Sequence, residues 1–321
     1  MRTVLFFIAT LLLAAPVMSL NSGARSRVLK LADGTQVAAT LQLSTQTDAD
    51  VFVLVNGLVY STNRWDAVAN NLQQHGATVI RYAFPGQPEN LRLLKKGEEP
   101  AYFQTGLELS DLVQQLRLIL KAAHVTGKIH LVGLSYGATV AAEFSKAYPA
   151  LVNDTTFIAP LVVPLDSYDP SGLALRSWLQ SVRFWEDTPC KLYGAFNPYL
   201  CVGQDYWYDT FYKSIYENYL ATEIESIPSG VDAATYKKAV FHLVRAARDF
   251  DLKEEIKGLH RVSMLVAEKD EANLAADQKL AWANVPKVDR VEFVTFKNAH
   301  HALPDEAPEQ TAQMLLKIAG E

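Results

Sequence analysis

The run Ile129-His130-Leu131-Val132-Gly133-Leu134-Ser135-Tyr136-Gly137 decides how the rest of the chain is read. It is apolar and β-prone up to Leu134, ends in Gly-x-Ser-x-Gly, and passes directly into Ala138-Thr139-Val140-Ala141-Ala142-Glu143-Phe144, which reads as a helix. A serine on so sharp a strand-to-helix turn is lifted clear of its own backbone, with its Oγ free to attack. The flanking glycines are needed because side chains there would collide with the neighbouring strand and helix. A helix beginning just past the serine also aims unpaired N–H groups at any oxyanion formed there. Ser135 is therefore a candidate nucleophile.

Outward from this turn the chain alternates between strand and helix. Upstream, Val28 to Gln42 reads as two strands around Ala32-Asp33-Gly34, a hairpin signal. Val51-Phe52-Val53-Leu54-Val55 is an uninterrupted apolar run, as expected of a strand buried on both faces. A helical period from Arg64 to His75 is stopped by Gly76, and a strand from Thr78 to Phe84 is broken by Pro85-Gly86-Gln87-Pro88. Leu107 to His124 carries an apolar helical stripe. Downstream come strands at Thr155–Ile158, Val262–Ala267 and Val291–Phe296, with helices at Leu274–Asn284 and Pro308–Ile318. Such alternation predicts an α/β protein with a mostly parallel sheet flanked by helices.

The alternation lapses between Pro164 and about Phe250, where strand signals vanish and aromatics crowd in, from Trp178 and Trp185 to Tyr216 and Tyr219. An insertion of this length between two sheet strands reads as a helical cap over the site. Most of these aromatics serve as the cap's own core, and a few line the substrate pocket. The predicted organisation is a first core segment over 25–163, an aromatic-rich helical cap over 164–250 and a second core segment over 251–321.

Residues 1–24 stand apart. Arg2 supplies a positive charge ahead of the apolar stretch Val4–Val17, which is short for a membrane span, and cleavage after Ser19 or Ala24 leaves acceptable small residues. The segment reads as a secretory signal peptide, with periplasmic or secreted localisation and no stable membrane insertion once it is removed. The two cysteines, Cys190 and Cys201, lie close together in the cap, and export permits a disulfide between them. A net charge of −5 over 321 residues gives no basic surface for nucleic acid.

A serine hydroxyl needs a base to take its proton, and the base needs an orienting partner. Of the seven histidines, His75 and His124 sit at helix ends, His130 inside the serine strand, His242 in the cap, and His260 just before a strand. His300 and His301 instead follow the last predicted strand in a loop. In an open parallel sheet, loops at the carboxyl ends of strands converge on the ligand crevice, and Ser135 occupies one such end. The acid is expected from another: Val266-Ala267-Glu268-Lys269-Asp270 follows the preceding strand and offers Asp270, Glu268 and Glu271. An Asp in such a turn can equally be a helix N-cap.

These residues together resemble the α/β-hydrolase superfamily, in its capped branch of serine esterases and lipases. The resemblance spans nearly all of the chain beyond residue 24 and is weakest in the cap. The superfamily's nucleophile elbow falls on Gly133-Leu134-Ser135-Tyr136-Gly137, and the chain order Ser, Asp, His agrees with its arrangement. Its acid loop, often Gly-x-x-Asp, falls on Ala267-Glu268-Lys269-Asp270, with alanine replacing the glycine. Its histidine loop, Gly-His followed by an acidic residue and Pro-Glu, fits Glu306, Pro308 and Glu309 if His301 is the base and His300 takes the glycine position. Its His-Gly after the third strand corresponds to Asn56-Gly57, with Trp65 following, so Leu58 and Tyr136 are the implied oxyanion-hole N–H donors. Asn56 departs from the usual His, and Ala83-Phe84-Pro85-Gly86-Gln87 departs from the usual Asp and Gly-His-Gly turn.

The resemblance implies hydrolysis of a small-molecule carboxylic ester or acyl compound by Ser135, His301 and Asp270, with no metal or organic cofactor required. An aminopeptidase, thioesterase, amidase or carbon–carbon hydrolase would use the same residues, and a non-catalytic binding scaffold is the alternative from another class. Epoxide hydrolase and dehalogenase chemistry would want an Asp where Ser135 stands.

Overall fold

The computed structural model of the chain describes residues 25–95, 97–162, 229–247, 249–270 and 272–320. The predicted signal segment, most of the predicted cap with Cys190 and Cys201, and Glu271 lie outside the described residues. Eight strands form one sheet: β1 (Arg25–Lys30), β2 (Gln36–Gln42), β3 (Val51–Val55), β4 (Thr78–Tyr82), β5 (Ile129–Leu134), β6 (Val152–Ile158), β7 (Val262–Ala267) and β8 (Arg290–Phe296). Their spatial order is β1-β2-β4-β3-β5-β6-β7-β8. Strand β2 runs antiparallel to both neighbours, and every pairing from β4 to β8 is parallel. The sheet reverses its direction of growth at β3 and β5, so their carboxyl ends open a crevice at the topological switch point.

The period-2 alternation of the inner strands distributes side chains to two cores. Val53 and Val55 of β3, Ile129 and Leu131 of β5, and Val262, Met264 and Val266 of β7 join one core, with helices Leu109–Ala122 and Gly137–Ala147 above it. Phe52, Leu54, Val132, Leu134, Leu265 and Ala267 face the other, under helices Asp66–Gln74 and Pro308–Gly320. Both faces are covered, which is why these strands read as continuous apolar runs instead of alternating ones.

Most expected elements stand within two or three residues of their predicted ends. The Arg64–His75 period resolves into a 3-10 turn, Thr62–Trp65, and the helix Asp66–Gln74, while β6 begins at Val152, three residues before its expected start at Thr155. Short helices at Pro88–Leu91, Tyr102–Thr105, Leu252–Glu255 and Leu303–Glu306 were not anticipated, because one turn carries too little periodicity to register. Among the described residues no helix is long and apolar enough to cross a membrane.

The helix Ala233–Ala246, at the end of the stretch predicted as cap, packs onto the core through Tyr236, Ala239, Val240 and Leu243. A Cβ on Gly86 would stand 2.9 Å from Leu243 Cδ1 and 3.0 Å from the Ala239 carbonyl, so the turn after β4 presses directly on this helix. The Tyr136 hydroxyl donates to the Leu243 carbonyl at 2.6 Å. Burial pushes the Tyr136 phenol far above its ordinary range, so it stays protonated as that donor.

Candidate active site

Ser135 follows β5 with a φ of 51°, the left-handed region that costs a non-glycine residue energy and is kept where the surroundings enforce it. Its main chain is held from both sides: its N–H donates to the Ile158 carbonyl at 2.9 Å, and its carbonyl accepts from Leu161 at 3.1 Å and Ala138 at 3.0 Å. Gly133 and Gly137 make the turn sterically possible. A Cβ on Gly133 would lie 2.6 Å from the Gly137 carbonyl oxygen, and one on Gly137 would overlap the Val55 and Asn56 carbonyls.

Asp270 and His301 meet on the loops that follow β7 and β8. His301 Nδ1 lies 3.0 Å and 3.1 Å from the two carboxylate oxygens of Asp270. The Asp270 side chain is 0% exposed and that of His301 18%. A carboxylate facing Nδ1 fixes the tautomer with its proton on Nδ1 and leaves Nε2 as the acceptor. Asp270 Oδ1 also accepts the N–H groups of Ala272 (3.0 Å) and Asn273 (2.8 Å), and Oδ2 accepts Gln278 Nε2 (3.0 Å). Asp270 thus makes an N-cap-like turn and orients a histidine at once, so the two readings of such an Asp are not exclusive.

Backbone pairing joins the loops that carry these residues. Lys269 N–H donates to the Ala299 carbonyl at 2.9 Å and Glu268 N–H to the Phe296 carbonyl at 3.0 Å. Glu268 Oε2 accepts the N–H of Asn298, which turns the histidine loop at a φ of 59°. Glu268 therefore braces the loop. His300 points elsewhere: its side chain is 46% exposed, and both its N–H (2.8 Å) and Nδ1 (3.3 Å) address Glu306 Oε2.

The loop after β3 closes the other side of the crevice. A Cβ on Gly57 would stand 3.6 Å from Ser135 Cβ, which places the Gly57–Leu58 peptide against the serine. Neither Leu58 nor Tyr136 donates its backbone N–H to another group among the described residues. Tyr60 OH donates to Asp305 Oδ2, and Arg64 Nη2 pairs with the same oxygen at 2.6 Å, so this loop is clamped to the turn after His301.

Three polar side chains at the site carried no motif in the sequence. Asn273 Nδ2 lies 3.5 Å from Ser135 Oγ and donates to the Ala159 carbonyl at 3.0 Å, which links the acid loop to the serine turn. Gln278 supports Asp270, and Gln87 sits behind the β3 loop. The only available signal was position: Asn273 stands three residues after the acid, and Gln87 sits in the turn where the chain departs from its relatives. Among the described residues no group of three or more His, Cys, Asp or Glu could hold a metal ion.

The same loops fall within residues 52–314, which match the sequence profile of the alpha/beta hydrolase family. The chain belongs to the alpha/beta hydrolase family. Its fold is shared with MGS-M2, an alpha/beta hydrolase from a Medee basin deep-sea metagenome library, at 18% identity and a TM-score of 0.61, covering 90% of this chain and 95% of that one. An esterase from Exiguobacterium antarcticum aligns at 14% identity and a TM-score of 0.61, over 92% of this chain and all (100%) of the other. A thermophilic esterase from Thermogutta terrifontis aligns at 17% identity and a TM-score of 0.60, over 93% and 98%. No curated protein gives a significant match. At such identities the likeness shows the fold, and the reaction has to be argued from the site.

Proposed function

We propose that this alpha/beta hydrolase is an exported serine esterase that cleaves small-molecule carboxylic esters through an acyl-enzyme. The observation that carries the reading is the buried Asp270 carboxylate paired with His301 Nδ1, on an acid loop whose Asn273 lies 3.5 Å from Oγ of Ser135, itself held in a left-handed turn. Export rests on the Arg2 and Val4–Val17 pattern. The ester preference is supported by the esterases that share the fold. Thioester, amide, aminoacyl and carbon–carbon substrates engage the same residues and are arms of the test.

In this mechanism Ser135 Oγ bonds to the acyl carbon while its proton passes to His301 Nε2, and the carbonyl electron pair moves onto oxygen. The N–H groups of Leu58 and Tyr136 receive that oxyanion, each worth about 3–4 kcal/mol in comparable sites. Asp270 holds the tautomer and stabilises the imidazolium. Collapse breaks the bond to the alkoxy group, which leaves with the proton from His301. Water then repeats the sequence on the acyl-enzyme and frees Ser135. The chemistry assigns no step to a metal or organic cofactor.

Ser135→Ala should abolish both labelling by a fluorophosphonate probe and hydrolysis of a nitrophenyl ester. Labelling that survives this substitution would refute the assignment of Ser135. A turnover panel of esters of graded acyl length, with thioester and aminoacyl compounds alongside, decides the substrate class.

A further inference from the structure

We propose that Gln87 is a positioning residue for the oxyanion site, setting the plane of the Gly57–Leu58 peptide so that the Leu58 N–H faces the carbonyl under attack. The inference rests on the hydrolytic reading above and goes beyond it, because Gln87 never reaches the substrate. Its side chain is buried, with 1% of the residue exposed. One end donates: Nε2 lies 2.8 Å from the Gly57 carbonyl oxygen, 3.0 Å from that of Tyr60 and 3.5 Å from that of Leu58. The other end accepts: Oε1 takes the Phe84 N–H at 2.8 Å and Asn56 Nδ2 at 3.1 Å. Asn56 is anchored in turn by Trp65, whose Nε1–H donates to Asn56 Oδ1 at 2.7 Å.

The peptide bond turns this anchoring into aim. The Gly57 carbonyl and the Leu58 N–H belong to one planar trans unit and point in opposite directions. A carbonyl drawn toward Gln87 therefore sends the N–H away from it. Gly57 itself abuts Ser135, as the 3.6 Å approach of a notional Cβ to Ser135 Cβ shows. The Gly57 carbonyl accepts Gln87 Nε2 at 2.8 Å and, at the longer distance of 3.3 Å, the Tyr60 N–H, so turning the peptide over would break both bonds and strip the buried amide of Gln87 of its nearest acceptor. Neutral glutamine suits the task because it offers two donors for Gly57 and Tyr60 and an acceptor for Phe84 and Asn56 in one planar group. The hydrogen bonds run in series from Trp65 through Asn56 and Gln87 to the oxyanion loop.

The test uses the full chain with Gln87→Glu and Gln87→Met, assayed on a nitrophenyl ester and on a trifluoromethyl ketone that forms a tetrahedral adduct with the serine. Glu keeps the shape but presents a carboxylate without a donor to the Gly57 and Tyr60 carbonyls. The expected result is a fall in kcat of about 10–100-fold, less than deletion of an oxyanion donor costs. KM should stay within about twofold, as for an interaction made only in the transition state. Affinity for the ketone should fall by the same factor as kcat/KM. For Gln87→Glu, the kcat ratio of variant to wild type should rise as pH falls, because a protonated carboxyl regains a donor.

A purely structural role would lower the melting temperature while leaving kcat, the ketone affinity and the pH ratio unchanged, and that outcome overturns the proposal. A wild-type protein that neither hydrolyses esters nor labels at Ser135 overturns the hydrolytic reading instead. Should neither variant fold, amide NMR on the unaltered protein decides. On phosphonylation of Ser135 the Leu58 N–H should shift downfield while the Gln87 side-chain amide stays slow to exchange. A Leu58 signal that does not respond, or a freely exchanging Gln87 amide, overturns the proposal.

Discussion

Asp270→Asn changes one atom in the structure and tests the catalytic reading most severely. Asp270 Oδ1 faces two main-chain donors, Ala272 and Asn273, which cannot reverse. The new amide nitrogen is therefore forced into the Oδ2 position, against Gln278 Nε2 and the His301 ring. Gln278 cannot simply turn over, because its Nε2 also donates to the Asn273 carbonyl at 2.5 Å. His301 Nδ1 would then face the retained oxygen at 3.0 Å and the introduced amide nitrogen at 3.1 Å, and a ring that takes a hydrogen from that amide carries its own proton on Nε2, the nitrogen meant to accept from Ser135. In a serine protease triad the same substitution costs ~10⁴ in kcat with the geometry intact, which is ~5.4 kcal/mol at 1.36 kcal/mol per decade. The structural cost is smaller, since one mismatched buried hydrogen bond is worth about 1–3 kcal/mol against a typical stability of about 5–15 kcal/mol. The variant should fold, bind a nitrophenyl ester with a KM near that of wild type, and lose about four decades of kcat. Thermal melts confirm folding, and steady-state kinetics read the loss. A folded variant that keeps more than about a tenth of the wild-type kcat, a barrier change of only ~1.4 kcal/mol, would mean that Asp270 merely caps the turn.

The two neighbouring histidines separate cleanly by experiment. His301→Gln should remove ester hydrolysis and His300→Gln should leave it within about threefold, a barrier change under ~0.7 kcal/mol; loss confined to His300→Gln would show that the base is the residue paired with Glu306. His130, at the opposite end of β5, lies 2.6 Å from Asp154 Oδ2 and 3.4 Å from Asp50 Oδ1. Burial alone lowers its pKa, but the Asp154 hydrogen bond together with the charges of Asp154 and Asp50 outweighs this and raises it. A raised folded pKa gives stability that is fully present below the unfolded value of about 6.5 and is lost as pH rises through the folded value. The melting-temperature advantage of wild type over His130→Gln should therefore be largest in mild acid and shrink toward alkaline pH; an advantage that grows with pH would refute the charge pairing.

Elements with a strong period were legible in the sequence, because two-sided burial writes itself as unbroken apolar runs such as Val51–Val55 and Val262–Ala267. The loops bearing Ser135, Asp270 and His301 were legible for a different reason. A glycine pair that must admit a helix beside a strand, and polar residues placed just after strand ends, leave marks in the sequence, and the resemblance to the superfamily's loops singles out Asp270 and His301 among their neighbours. The first β-hairpin was also plain from Ala32-Asp33-Gly34, yet nothing in β2 announced that it pairs with β4, since register and neighbour order come from tertiary packing. Gln87, Asn273 and Gln278 carried no motif, and position was the most that the sequence offered for them. A single buried amide has no period and no partner at fixed spacing, and its meaning depends on which carbonyls the fold brings within reach. His242 shows the reverse case. Tyr102, Phe103 and Phe241 surround it, and burial lowers its pKa to about 4, helped by the charges of Arg245 and Lys238, which keeps it neutral.

The reliance on neutral amides around the crevice has a physical rationale. Loops at strand ends leave main-chain carbonyls outside the sheet ladder, here those of Gly57, Tyr60, Ala159 and Asn273, and buried carbonyls need donors. Lysine or arginine could supply them, but a buried cation requires its own counter-charge and would compete with the imidazolium that forms on His301 during acylation. Asn273 and Gln278 satisfy those carbonyls and the Asp270 carboxylate without adding charge. Gln87 and Asn56 do the same behind the oxyanion loop. At the ring of His301 the Asp270 carboxylate, 3.0 Å from Nδ1, then remains the charge that matters most. A carboxylate whose side chain is fully buried acts more strongly at that distance than it would in solvent. The amide scaffold thus serves two ends with the same atoms: it fixes the loops in place and adds no charge of its own beside Asp270 and the histidine.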